Sequence, residues 1–172
     1  MRRKLVLAVT ILICFLLQST VFQELAFASI SPNLLIIVTA AFGFMRGRKE
    51  GLFVGFFCGL LLDLFFGTFL GVYALLYMFV GYINGIFRRI FYPEEIKLPI
   101  FLIAASDLSL NLVIYFIMFV FRSRFEIGYY FVHIMLPELV YTLIVAVVLY
   151  FILLKINQKL EKIEKRSAKK FV

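Results

Sequence analysis

The chain has 172 residues, of which 64 % are hydrophobic, with a mean hydropathy of +1.04 and a formal net charge of +8. A soluble domain is nearer half apolar, and no amphipathic packing hides such an excess from water, so a soluble globular protein is excluded and an all-α membrane protein is expected. The positive charges flank apolar runs and form no soluble basic face, which argues against nucleic acid as a partner and reads as membrane topology.

The first apolar run is Leu5 to Phe22, behind Arg2, Arg3 and Lys4. It also resembles a signal peptide with an A-x-A site at Ala26-Phe27-Ala28, but its length favours a retained span. The second run, Leu34 to Met45, is short and follows Ser31-Pro32-Asn33. Ser31 reads as an N-cap with proline in the first turn. At about 1.5 Å rise per residue this segment barely crosses an apolar core of about 30 Å, so it is either shielded by its neighbours or a re-entrant hairpin. The third run is Gly51 to Phe66, the fourth Phe69 to Phe87 and the fifth Leu98 to Phe121. The last starts at Tyr129 or at Pro137 and ends near Leu154. Pro137-Glu138 is favoured as its first turn, because proline suits that position and an acid suits the positive end of the helix dipole. Tyr129, Tyr130 and His133 then form an interfacial belt.

About six transmembrane helices follow, at about 5–22, 32–45, 50–66, 69–87, 98–121 and 137–154, in a single domain 1–154 with a basic helical tail, 155–172. The odd-numbered side carries Arg2, Arg3, Lys4, Arg46, Arg48, Lys49, Arg88, Arg89, Lys97 and seven basic residues from Lys155 to Lys170. The other side carries only Arg122 and Arg124, and together these account for all 18 lysines and arginines. The bias places both ends in the cytoplasm. The loops between spans are too short for an external domain, so function is expected within the membrane or through helices that others pack against.

Gly43, Gly47, Gly51, Gly55 and Gly59 recur every four residues, and Asp63, Gly67 and Gly71 continue the count. Gly81 and Gly85 repeat the spacing in the fourth span. Such a stripe lets helix backbones approach closely in lipid. It serves either packing within the chain or docking of another membrane protein, so Gly43, Gly47, Gly51, Gly55, Gly59 and Asp63 are candidate partner-binding or helix-packing positions.

Acids within spans are costly and mark candidate sites. Asp63 lies late in the third span, while Asp107 and Asn111 share a face of the fifth, one turn apart. Gln18 closes the first span, and Glu138 lies at mid-depth or the outer edge of the last. No lysine or arginine lies within a span to pair with them. They read as hydrogen-bonding glue between helices or as a cation or substrate site. A serine hydrolase would need Ser106 or Ser109 at the depth of His133, and no nucleophile motif surrounds either. No Walker loop and no Cys/His spacing is present, and Cys14 and Cys58 lie in apolar runs. No catalytic residue, metal or cofactor is therefore expected. In the tail, Ile156, Leu160 and Ile163 form a stripe and Glu161 pairs with Lys165 at i,i+4, suiting anionic lipid, a cytoplasmic partner or a solvated extension.

The order of features resembles the rod shape-determining protein MreD family. Gln18-Ser19-Thr20 ends the first span, and Pro32-Asn33-Leu34-Leu35 opens the second. The stretch Gly51-Leu52-Phe53-Val54-Gly55-Phe56-Phe57-Cys58-Gly59-Leu60-Leu61-Leu62-Asp63 follows, then Leu70-Gly71, Gly81-Tyr82 and Pro137. The glycine-rich stretch ending in Asp63 is the most specific part of a likeness that covers nearly the whole chain. The resemblance implies a non-enzymatic subunit of the bacterial cell-wall elongation complex in the cytoplasmic membrane. It implies MreC as partner, with MreB, RodA and the elongation-specific penicillin-binding protein in the same assembly, in the service of lateral peptidoglycan synthesis and rod shape. It also implies a fold like that of the substrate-binding subunits of energy-coupling-factor vitamin transporters. The alternative reading is such a transport subunit itself, binding a small molecule, and a cation-coupled carrier is a third.

Overall fold

The computed structural model describes residues 2–24, 30–67, 70–88, 97–122 and 127–169. Ala26-Phe27-Ala28, Phe69, Arg89, Arg124 and Lys170 lie outside them, as does the Lys165 side chain. The elements are helices: α1 (Arg2–Ser19), α2 (Val21–Glu24), α3 (Leu34–Arg46), α4 (Arg48–Phe65), α5 (Val72–Phe87), α6 (Lys97–Arg122), α7 (Ile127–Tyr130) and α8 (Leu136–Lys169), with a π turn, Phe131–Met135, between the last two.

The bundle is built around α3. Every residue from Leu34 to Met45 is buried. A helix that is apolar all round belongs inside a core, and here α1, α4, α5, α6 and α8 all pack against it. Its 13 residues span about 20 Å, short of the bilayer's apolar thickness. Protein surrounds it on all sides. The surrounding helices follow one another as α1, α4, α5, α6 and α8, and the Phe22–Tyr141 ring contact joins α2 to α8.

Each surrounding helix buries one stripe at helical spacing. In α1 the stripe is Ile11, Cys14 and Phe15, while Leu5, Val9, Leu12, Ile13 and Leu16 face outward. In α4 it is Gly51, Val54, Gly55, Cys58, Gly59, Leu62 and Asp63, with Phe53, Phe56, Phe57, Leu64 and Phe65 outside. In α8 it is Thr142, Ala146, Tyr150, Leu153, Asn157 and Leu160, with Val140, Ile144 and Val148 outside. Apolar residues on both faces are what a lipid solvent selects. Among the described residues, three segments, Lys4–Glu24, Lys97–Ile117 and Gly128–Ile163, are long and apolar enough to cross a membrane. The shorter apolar helices are Leu34–Arg46 and Val72–Phe87.

Hydroxyls in α1 and just after it are satisfied by carbonyls of that helix. Thr10 Oγ1 donates to the Val6 carbonyl at 2.8 Å, and Thr20 Oγ1 and Ser19 Oγ donate to the Leu16 carbonyl.

One expected helix start falls elsewhere, and another lies within a longer helical segment. Helix α3 begins at Leu34 with Asn33 as its N-cap, two residues beyond Ser31. Asn33 Oδ1 accepts the Ile36 N–H at 3.2 Å, which is the bond that defines a cap, so Pro32 stays outside the helix. Pro137 and Glu138 do lie in the first turn of α8, but the apolar helical segment starts earlier, at Gly128, next to the Tyr129 alternative. The chain is already helical from Ile127, and the Leu136 N–H bonds the Phe131 carbonyl in a π turn. Proline inside a helix removes one donor and crowds the carbonyl four residues back. The wider turn just before Pro137 accommodates that crowding. From there α8 runs unbroken for 34 residues, about 51 Å, well past Lys155.

Candidate functional site

The glycine ladder joins α3, α4 and α5. Gly47 alone links α3 to α4, with φ +99°, a conformation that L side chains rarely adopt. The two helices therefore fold back on each other at once, and a Cβ on Gly51 would lie 2.7 Å from Gly43 Cα. The same Cβ would overlap the Gly81 carbonyl on α5. One on Gly55 would overlap the Tyr77 carbonyl, one on Gly59 the Tyr73 carbonyl, and one on Gly43 would lie 2.6 Å from the Gly81 oxygen. Gly85 packs the same way against the Gly47–Arg48 backbone. The face made by Gly43, Gly51, Gly55 and Gly59 is thus covered by backbone of the same chain. Gly47 stands apart, meeting the Arg88 side chain instead.

Asp63 ends this stripe and is 2 % exposed. Its Oδ1 accepts the Tyr73 N–H at 3.0 Å and its Oδ2 the Ala74 N–H at 2.8 Å. These are first-turn donors of α5, which no intrahelical carbonyl can reach. The N-cap residue of α5 is Gly71, in the left-handed region at φ +100°, with no side chain to serve them. Asp63 therefore caps α5 from the preceding helix, and a carboxylate also suits the positive end of the dipole.

The start of α3 is capped in the same way by its neighbours. Gln18 Oε1, on α1, accepts the Leu35 N–H at 3.1 Å. Thr142 Oγ1, on α8, accepts the Asn33 N–H at 3.1 Å. The Tyr77 hydroxyl, on α5, donates to Asn33 Oδ1 at 2.8 Å. A helix end buried inside a bundle leaves donors that cannot reach water, so polar side chains must come to them. At the other end of α3, Arg88 Nη1 donates to the Arg46 carbonyl. Arg46 Nε donates to Asn157 Oδ1 on α8, and Asn157 Nδ2 donates to Glu161 Oε1 at 3.2 Å. Arg48 lies over the Tyr82 ring, 5.8 Å from its centroid. One end of the bundle is therefore basic, and the other holds Gln18, Asn33, Asp63 and Thr142.

Asp107 and Asn111 are both buried on α6. Asp107 faces Thr142 and Glu138 on α8, and Asn111 faces Glu138. Ser106 Oγ accepts from Asn84 Nδ2 at 2.8 Å, which ties α5 to α6. His133 is exposed on the π turn and stacks on Tyr129 with ring centroids 4.3 Å apart. Among the described residues, no cluster of three or more His, Cys, Asp or Glu is present. A shallow depression near Phe15, Gln18, Ser19 and Phe66 has a volume of about 190 Å³.

Sequence reasoning missed Asn33, Tyr77, Asn84, Thr142 and Asn157. The three asparagines carried the same signal as Asp107, a polar residue beside or inside an apolar run. Tyr77 and Thr142 carried none, since both residue types are ordinary in spans.

These observations describe a bundle whose polar residues mostly serve its own helix ends and whose outer faces are apolar. No curated protein and no solved structure matches the chain. A family profile does, described as rod shape-determining protein MreD, over residues 1–160. That match takes in the glycine ladder, Asp63 and all the caps around α3, and the chain accordingly belongs to the MreD family of membrane proteins that determine cell shape.

Proposed function

We propose that this protein is a non-enzymatic scaffold of the bacterial cell-wall elongation complex, which binds MreC and helps to organise lateral peptidoglycan synthesis. The family match over residues 1–160 carries this reading. In it the chain is a multi-pass protein of the bacterial cytoplasmic membrane with six crossings. Its basic end, with Arg46, Arg48, Arg88 and Asn157, faces the cytoplasm together with both termini. The arrangement would be that of the substrate-binding subunits of energy-coupling-factor transporters.

The glycines would serve assembly indirectly. They clamp α3, α4 and α5 into one block whose outer face carries Phe53, Phe56 and Phe57. A partner helix such as that of MreC then meets a rigid apolar surface, with MreB, RodA and the elongation-specific penicillin-binding protein completing the assembly. Packing of preformed faces is the main source of association in lipid.

The test is affinity purification from the native membrane in a gentle detergent, with mass spectrometry of what accompanies the protein. Recovery of MreC with other elongation proteins is the expected result. Recovery of an ATPase pair with a coupling subunit, or of a bound vitamin, would overturn the scaffold reading in favour of a transport subunit. Topology is tested separately. A cysteine introduced by Glu24→Cys should react with a membrane-impermeant maleimide added outside the cell, and one introduced by Lys49→Cys should not.

A further inference from the structure

The caps described above are hydrogen-bonded, whereas Asp107, in the middle of α6, is not. It is 0 % exposed, and neither carboxyl oxygen has a hydrogen-bond partner. The Thr142 hydroxyl faces it, yet completes no hydrogen bond with either oxygen. A buried charge is costly unless it is paired, and a buried acid of this kind calls for a compensating group. Among the described residues no lysine or arginine supplies one. Helix α6 has none between Lys97 and Arg122, and α8 has none before Lys155.

The neighbours of Asp107 form a regular set. Asp107 and Asn111 are one turn apart on α6, and Glu138 and Thr142 are one turn apart on α8. Asp107 is set against Thr142, and Asn111 against Glu138. This is the register of two antiparallel helices facing each other with two oxygen-bearing side chains apiece. Two carboxyls, an amide and a hydroxyl converge there, and none of them is basic. Hard cations select all-oxygen surroundings of this sort, with bonds of about 2.3–2.6 Å. Such an ion would draw on oxygens of both helices at once.

We propose that Asp107, Asn111, Glu138 and Thr142 form an intramembrane binding site for a hard metal cation, Na⁺ or Ca²⁺, between α6 and α8. The sequence shows no His/Cys spacing because the ligands are hard oxygens, two of them neutral, on helices far apart in the chain. The site lies beside the start of α3, since Thr142 also accepts the Asn33 N–H. An ion held there would lock α8 to α6 and to the central helix together.

The purified full-length protein should be exchanged into choline chloride at fixed pH in detergent. Thermal unfolding is then followed with a fluorogenic maleimide, which reacts as the buried Cys14 and Cys58 become exposed. Addition of NaCl or of CaCl₂ should raise the midpoint by about 5–10 °C at saturation, while more choline chloride should not. Asp107→Asn and Glu138→Gln should each abolish the shift. Equilibrium dialysis of the wild type against radioactive Na⁺ or Ca²⁺ should show saturable binding, and needs no variant to fold. A midpoint unmoved by both ions, one that responds to pH alone, or an undiminished shift in Asp107→Asn would overturn the proposal.

Discussion

Replacing Asp63 by alanine removes both acceptors that the first turn of α5 depends on. The Tyr73 and Ala74 N–H groups then have nothing to bond, because Gly71 has no side chain. Each hydrogen bond to a charged acceptor contributes about 1.5–3 kcal/mol, and loss of a cap costs about 0.5–2 kcal/mol overall. The two bonds share one carboxylate, so the combined cost is about 3 kcal/mol. For a chain of this length that is a fall of about 6–12 °C in the unfolding midpoint. Asp63→Asn should fall between wild type and alanine. The amide retains one acceptor but turns an NH₂ group towards the second backbone donor. The midpoint in detergent, read by maleimide reaction at the buried cysteines, measures both variants. An Asp63→Ala protein that melts within about 1 °C of wild type would refute the capping argument. If such a protein also failed to recover MreC, Asp63 would instead be a contact for the partner.

Gly55→Ala should prevent accumulation of folded protein on size-exclusion chromatography, since even a methyl group overlaps the Tyr77 backbone. Gly128→Ala should be neutral or stabilising by up to about 1 kcal/mol, because α7 leaves open space around it and alanine is the better helix former. Gly71→Ala meets no neighbouring atom yet should lower stability by about 1–2 kcal/mol, since φ +100° is strained for any residue with a Cβ; an unchanged midpoint would refute this. Arg46→Ala and Asn157→Ala should show a coupling of about 1 kcal/mol or more in a double-mutant cycle, and additivity would mean their hydrogen bond contributes nothing.

The helical class and the candidate residues were legible because lipid imposes long apolar runs, and any polar residue within them stands out. The glycine spacing was equally visible, but its use was not. A four-residue period marks a stripe and carries no information on which helix covers it. Asp63 shows the same limit. Its depth and charge invited a functional reading, while its task depends on Gly71, eight residues later, being a cap without a side chain. The start of α3 was misplaced by two residues because Ser31-Pro32 matches the capping pattern as well as Asn33 does. The sequence leaves Tyr129 and Pro137 open as starts of the last span, because the π turn that joins the helical residues before Pro137 to α8 leaves no mark in it. The facing of Asp107 with Thr142 and of Asn111 with Glu138 was out of reach for a simpler reason. It depends on the register between two helices, and no local pattern records that.

The enclosure of α3 has a consequence for how the protein is made. A 13-residue helix is a weak candidate for entering a bilayer by itself, as spans of about 20 residues are the norm. Joined to α4 through the single residue Gly47, it can enter as half of a hairpin. Its capping partners on α5 and α8 are synthesised later, so its first-turn donors wait for helices that do not yet exist. The central helix is therefore early in the chain and late to be completed, and truncation before α8 should leave a bundle open at its axis.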